Sequence, residues 1–71
     1  MSLFTSQELL QTEASIKRYL PVGATTSDRS LMDMVTKQGI SEHTVRRALI
    51  GMHQRGEIEF KSERRKIVRR I

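Results

Sequence analysis

The sequence has no cysteine, no tryptophan, one proline and only three aromatic residues, Phe4, Tyr19 and Phe60. Without cysteine, neither a disulfide nor a thiolate metal site can supplement the core. With so few aromatics, a run of stacking platforms for single-stranded nucleic acid is not expected. No apolar run approaches the roughly 20 residues that span a bilayer, so no membrane association is expected. The N-terminus lacks the basic start and long apolar stretch of a signal peptide. His43 and His53 lie ten residues apart with no companion carboxylate cluster, which argues against a metal centre. No serine stands in a nucleophile-elbow context. An enzyme is therefore not expected, nor is a cofactor.

What is present is positive charge, unevenly placed. The 71 residues carry a formal net charge of +5. Residues 1–54 hold six basic and five acidic residues, whereas residues 55–71 hold seven basic and three acidic ones. A basic C-terminal segment points to a polyanion partner. The competing reading is a solubilising surface or a disordered basic tail. The apolar alternation within the segment argues against disorder.

The length fits one small domain over residues 1–71. Such a chain buries only about 60% of its unfolded surface, so the core must be well patterned. A first helix is predicted over about residues 6–20, capped by Thr5 or Ser6, with Leu9, Ile16 and Leu20 on one face. Phe4 is a candidate to dock on the core. Pro21 and Gly23 end this helix. Val22 or Ala24 is expected to fold back, as part of a short strand. Thr25, Thr26 and Ser27 compete as the cap of a second helix over about 27–38, and Thr25 with Asp28 resembles a capping box. Leu31, Met34 and Val35 should point inward.

Gly39 closes the second helix in the left-handed conformation that suits a residue without Cβ. Ser41 can then cap a third helix over about 42–55. Val45, Ala48, Leu49 and Met52 share its apolar face. His43, Arg46, Arg47, Ile50 and Gln54 lie on the opposite face. Gly56 is the stop. Gly51, inside the helix, reads as tolerated slack or as the site of a close backbone approach.

The period then changes from 3.6 to 2. Ile58 with Phe60, and Ile67 with Ile71, mark a β-hairpin over about 57–71. Its turn lacks glycine, so its type is open. Ile58, Phe60 and Ile67 should pack onto the helices. Three helices followed by a hairpin describe a winged helix-turn-helix, mainly α, with a C-terminal β-hairpin wing.

Here the chain resembles the DNA-binding domain of the GntR-type bacterial regulators. Gly23-Ala24-Thr25-Thr26-Ser27-Asp28-Arg29-Ser30-Leu31 is similar to that family's Gly-x-x-Leu-Pro-Ser-Glu-Arg-x-Leu segment. Ile40-Ser41-Glu42-His43-Thr44-Val45-Arg46-Arg47-Ala48-Leu49 is similar to its Val-Ser-Arg-x-Thr-Val-Arg-x-Ala-Leu segment. Arg55-Gly56-Glu57-Ile58 resembles the lead into the wing. The resemblance implies that Arg29, Thr44 and Arg46 meet DNA. Glu42 departs from the family's arginine, Thr26 from its proline, and Ser62-Glu63-Arg64-Arg65-Lys66 from its Gly-x-Gly wing tip.

The expected function is sequence-specific binding of double-stranded DNA by a transcriptional regulator. The third helix would enter the major groove, where an arginine reads guanine with about 1–3 kcal/mol of discrimination. Ser41, His43, Thr44, Arg46 and Arg47 would approach bases or flanking phosphates. Arg29 would pair with phosphate from the second helix. Arg64, Arg65 and Lys66 would lie over the adjacent backbone or minor groove. Lys61, Arg69 and Arg70 would add long-range attraction. The alternative is a protein-docking winged helix within a larger complex, for which Glu42 is unremarkable and an acidic protein surface is the partner. A homodimer partner is a further expectation. The location expected is cytoplasmic in a bacterial, phage or plasmid setting, and nuclear in a eukaryote.

Overall fold

A computed structural model of the chain describes residues 6–71. The expectations for Phe4 and for the cap of the first helix fall outside them. Helix α1 runs Ser6–Tyr19, strand β1 Thr25–Ser27, helix α2 Asp28–Thr36 and helix α3 Glu42–Gln54. Strands β2 (Ile58–Lys61) and β3 (Lys66–Arg69) follow, joined through a 3-10 turn at Glu63–Arg65. The described residues thus form three helices and a small antiparallel sheet of order β1-β3-β2, compatible with a winged-helix-like fold.

Local chemistry sets the helix ends. Ser27, not Thr25 or Thr26, caps α2: its side-chain oxygen accepts from the Ser30 amide at 3.1 Å. Thr25 instead pairs with Val68 in the sheet. Ser41 caps α3 by accepting from the Thr44 amide at 3.2 Å. At the far end of α3, the Gly56 amide donates to the His53 carbonyl and the Glu57 amide to the Met52 carbonyl. This double closure requires a left-handed residue, and Gly56 supplies it with φ +76°.

The core collects Ile16 and Leu20 from α1, Leu31 and Val35 from α2, and Val45, Ala48, Leu49 and Met52 from α3. Ile58 and Ile67 close it from the sheet. Leu9 and Ala24 pack at its edge, while Val22 is exposed. Met34, expected inward, is only half-buried. Thr12 is buried beside Ile16 because its hydroxyl donates to the Glu8 carbonyl at 2.8 Å, which satisfies it without water.

The sheet departs from the sequence pattern at one strand and two residues. β1 makes the expected two-stranded hairpin a three-stranded sheet, through Thr25, Thr26 and Ser27 opposite Val68, Ile67 and Lys66. Phe60, expected in the core, is 43% exposed. It shares a face with Ile58 and Ile67 but sits farther along β2, where the side chain of His53 is its aromatic neighbour, with ring centroids 4.9 Å apart. Arg69 faces inward opposite Ile58. There its guanidinium donates to the Leu20 carbonyl at 3.1 Å and to the Ile71 carbonyl, so it caps the end of α1 rather than projecting charge outward.

A candidate interaction surface with two kinds of charge

The charged residues divide into a closed set and an open set. The closed set lies where α1, the end of α3 and β2 meet. Glu13 is almost buried on α1, and Arg55 donates to its carboxylate at 2.5 Å. The same guanidinium donates to Glu57 at 2.6 Å, and Lys17 reaches Glu57 at 3.1 Å. The Arg55 hydrogen bond, and then that of Lys17, hold the Glu57 carboxyl below its ordinary range. This network ties three elements together and leaves little charge to offer outward.

The open set lies between α3 and the wing. Arg46 on α3, Lys61 on β2, Arg65 in the turn and Lys66 on β3 line one groove of about 280 Å³ with Asp28, over a floor of Phe60 and Ile67. Asp28 is the single acidic lining residue. Arg46 donates to Glu42 at 2.9 Å, an exposed pair one helical turn apart. That hydrogen bond and the Glu42 charge raise the Arg46 pKa, with Asp28 adding a weaker pull. Among the described residues, Arg65 and Lys66 have no ion-pair partner.

The wing tip reaches this arrangement through an uncommon backbone. Arg64 and Arg65 both have positive φ, 59° and 52°. A left-handed non-glycine residue costs roughly 1–2 kcal/mol. The two adjacent arginines then go separate ways. Arg65 lines the α3 side of the sheet, while Arg64 lines the outer face with Thr25, Lys61, Glu63, Lys66 and Val68.

The nine residues expected to contact DNA do not all line one hollow. Arg46, Arg65 and Lys66 meet in the groove. Ser41 and Thr44 are engaged with each other as the α3 cap, their hydroxyls 2.8 Å apart, and line a different hollow with Glu8 and Gln11. Arg29, His43 and Arg47 are exposed on α2 and α3, outside both hollows. Lys61 and Phe60 belong to the groove without having been singled out as contacts. The signal for them was their place on the strand leading into the wing. Among the described residues, no three His, Cys, Asp or Glu side chains converge as metal ligands would. Among the described residues, no helix is long and apolar enough to cross a membrane.

Comparison with known proteins decides the family. Residues 11–69 match the C-terminal domain of MCM5. The chain belongs to the MCM5 C-terminal domain family. It is 46% identical over 65 residues to the DNA replication licensing factor MCM5 of Arabidopsis thaliana, covering 92% of this chain and 9% of the relative. The figures for the Oryza sativa subsp. indica protein of the same name are 48% over 65 residues, 92% and 9%. For the Xenopus tropicalis licensing factor they are 33% over 70 residues, 93% and 10%. The chain thus spans about a tenth of the length of these relatives. No solved structure matches the chain significantly.

These matches overturn the GntR-type resemblance and the transcriptional role drawn from it. The physical reason lies in the segment that carried the resemblance. In Thr44-Val45-Arg46-Arg47-Ala48-Leu49, the residues Val45, Ala48 and Leu49 are core and Thr44 serves the cap. A short capped helix over a small core needs this pattern whatever its outer face binds.

Proposed function

We propose that the chain is a winged-helix, single-domain docking module of a eukaryotic replication licensing factor. It holds a protein partner inside a larger, nucleic-acid-handling assembly, in the nucleus, and contributes no catalytic group. The observation that carries this reading is the α3–wing groove, which combines cations with an exposed aromatic floor. A duplex reader needs the leading edge of α3 clear for phosphate. Here Glu42 occupies that edge and engages Arg46. A protein surface tolerates such an internal pair, which moderates charge without closing the groove.

Within this reading, Arg46, Arg65 and Lys66 face the partner, and Ser41 and Thr44 serve α3 itself. Arg29, His43, Arg47 and Arg64 are left to meet a nucleic-acid backbone in the same assembly. Two measurements test it together. One introduces Arg65→Glu with Lys66→Glu into the full-length licensing factor and follows which proteins copurify with it. The other titrates the 71-residue chain with a mixed-sequence duplex at physiological salt. Lost copurification with weak, sequence-indifferent duplex binding supports docking. Tight, sequence-dependent duplex binding by the chain overturns it.

A further inference from the structure

We infer that the α3–wing groove takes an acidic peptide segment of a partner protein, anchored by one aromatic or large aliphatic side chain among its carboxylates. The inference rests on the docking reading above and names the chemistry of the ligand. Three features of the groove carry it.

The first is charge. Arg46 stands on the α3 side, and Lys61, Arg65 and Lys66 on the wing side, against Asp28 alone. Arg46 and Lys61 have exposed acidic neighbours, Glu42 and Glu59, at 2.9 and 3.2 Å. Such pairs are weakly held in water, so an incoming carboxylate can replace either at little cost. Arg65 is aimed into the groove by a left-handed backbone.

The second feature is the floor. Phe60 is one of three aromatics in the chain and is 43% exposed. The tilted His53 ring packs beside it. Ile50 lies one turn beyond Arg46 on the same stripe of α3 and is also exposed. An aromatic base ringed by cations matches an apolar anchor flanked by acids, the arrangement in which a buried hot spot is surrounded by a polar rim.

The third feature is what nucleic acid would leave unused. Duplex phosphates gain nothing from the exposed ring of Phe60. Single strands bind by stacking successive bases on successive aromatics, whereas this groove has one aromatic ring. A continuous phosphate chain would also pass Asp28 and Glu42, whereas a peptide can space its carboxylates to avoid them.

The test is an amide-resolved NMR titration of the 71-residue chain with three probes. These are a synthetic Asp/Glu-rich peptide with a central Phe, the same peptide with Ser in its place, and a short duplex of equal charge. With the Phe peptide, shifts should concentrate at Arg46, Phe60, Lys61 and Lys66. Replacing its Phe should weaken binding about tenfold or more, the scale of one lost aromatic burial. In the protein, Phe60→Ala and the pair Lys61→Glu with Lys66→Glu should each weaken it about tenfold, with the amide spectrum still dispersed. Equal binding of both peptides overturns the inference, as do shifts centred on Arg29 and Arg47, or tighter binding of the duplex. A groove silent to the peptide whose charge reversal still strips proteins from the full-length factor overturns this inference and leaves docking intact.

Discussion

The closed network and the open groove are made of the same residue types, yet they do opposite things. Glu13, Lys17, Arg55 and Glu57 bring residues 13 and 57 under one guanidinium and pin α1 to the end of α3 and to β2. Arg46, Lys61, Arg65 and Lys66 face one another across a groove with too few anions to satisfy them. The difference is stoichiometry at close range. Arg55 finds two carboxylates, whereas Arg65 and Lys66 find none among the described residues. Net charge counted along the chain cannot separate these cases, because Arg55 and Lys61 both belong to the basic C-terminal segment. Pairing across the fold separates them.

The largest expected effect tests the closed side. Arg55→Ala leaves Glu13 nearly buried without its cation. Removing one partner of a fully buried pair costs about 3–5 kcal/mol. Arg55 is half exposed, so roughly 1–2 kcal/mol is expected after solvent screening. A urea denaturation series measures it. The pair Lys61→Glu with Lys66→Glu, although it changes the net charge more, should leave the urea midpoint close to that of the wild type. Equal loss in both variants would erase the distinction between the two regions.

The next effect is smaller and has opposite signs on the two properties. Arg65→Gly relieves a left-handed arginine and should stabilise the hairpin by about 1 kcal/mol, since glycine adopts that conformation without a Cβ clash. The same change removes a groove cation and should weaken an acidic ligand severalfold. Thermal melting and peptide titration on one variant check both. A variant that is more stable and binds as well as the wild type would detach the wing tip from the open set.

Much of the helical frame was legible, because its signals are local. Ser41 caps its helix three residues ahead, Gly56 ends that helix by its own bond three residues back and by that of Glu57 five back, and Val45, Ala48, Leu49 and Met52 repeat at the helical period. The sheet and the site were harder, since their causes lie far apart in sequence. β1 is three residues long and is defined only by β3, some forty residues later. The inward turn of Arg69 is explained by the Leu20 carbonyl, 49 positions away. Glu13 reads as a solvated helix residue until Arg55 arrives from 42 positions on. Phe60 obeys the strand alternation, but alternation fixes a face and not whether a helix covers it. Which of the expected contact residues share a hollow was not legible, because that depends on how the wing folds against α3, while Ser41 and Thr44 are engaged with each other in capping. The same capped-helix pattern, shared by many small helical domains, is what drew the resemblance toward bacterial regulators.

A pH series sharpens the comparison by a smaller margin. Arg55, and then Lys17, hold the Glu57 carboxyl below its ordinary value of 4.5. A depressed folded pKa means that the unfolded chain takes up the proton first. The stabilisation is therefore whole above about pH 4.5 and is lost as pH falls through the lower folded value. Glu57→Gln should flatten the acid limb of the stability curve, and Arg65→Gly should not. An acid limb unchanged in Glu57→Gln would mean that the closed network contributes nothing measurable.

The smallest effect concerns Gly51, which lies in α3 beside the closed network. An added Cβ would meet Arg55 Nη1 at 3.4 Å and Glu13 Oε2 at 3.9 Å, both side-chain atoms, with no backbone in the way. The close approach at this glycine is thus to the ion pair. Gly51→Ala should gain up to about 1 kcal/mol of helix propensity. Part of that gain is offset if the end of the Arg55 side chain must shift a few tenths of an ångström. A net gain of about 0.5 kcal/mol in thermal melting is expected in the wild-type background. In an Arg55→Ala background the offset disappears, so Gly51→Ala should gain more there. Equal gains in both backgrounds would show that the network tolerates a methyl group against its edge, and that the glycine is slack.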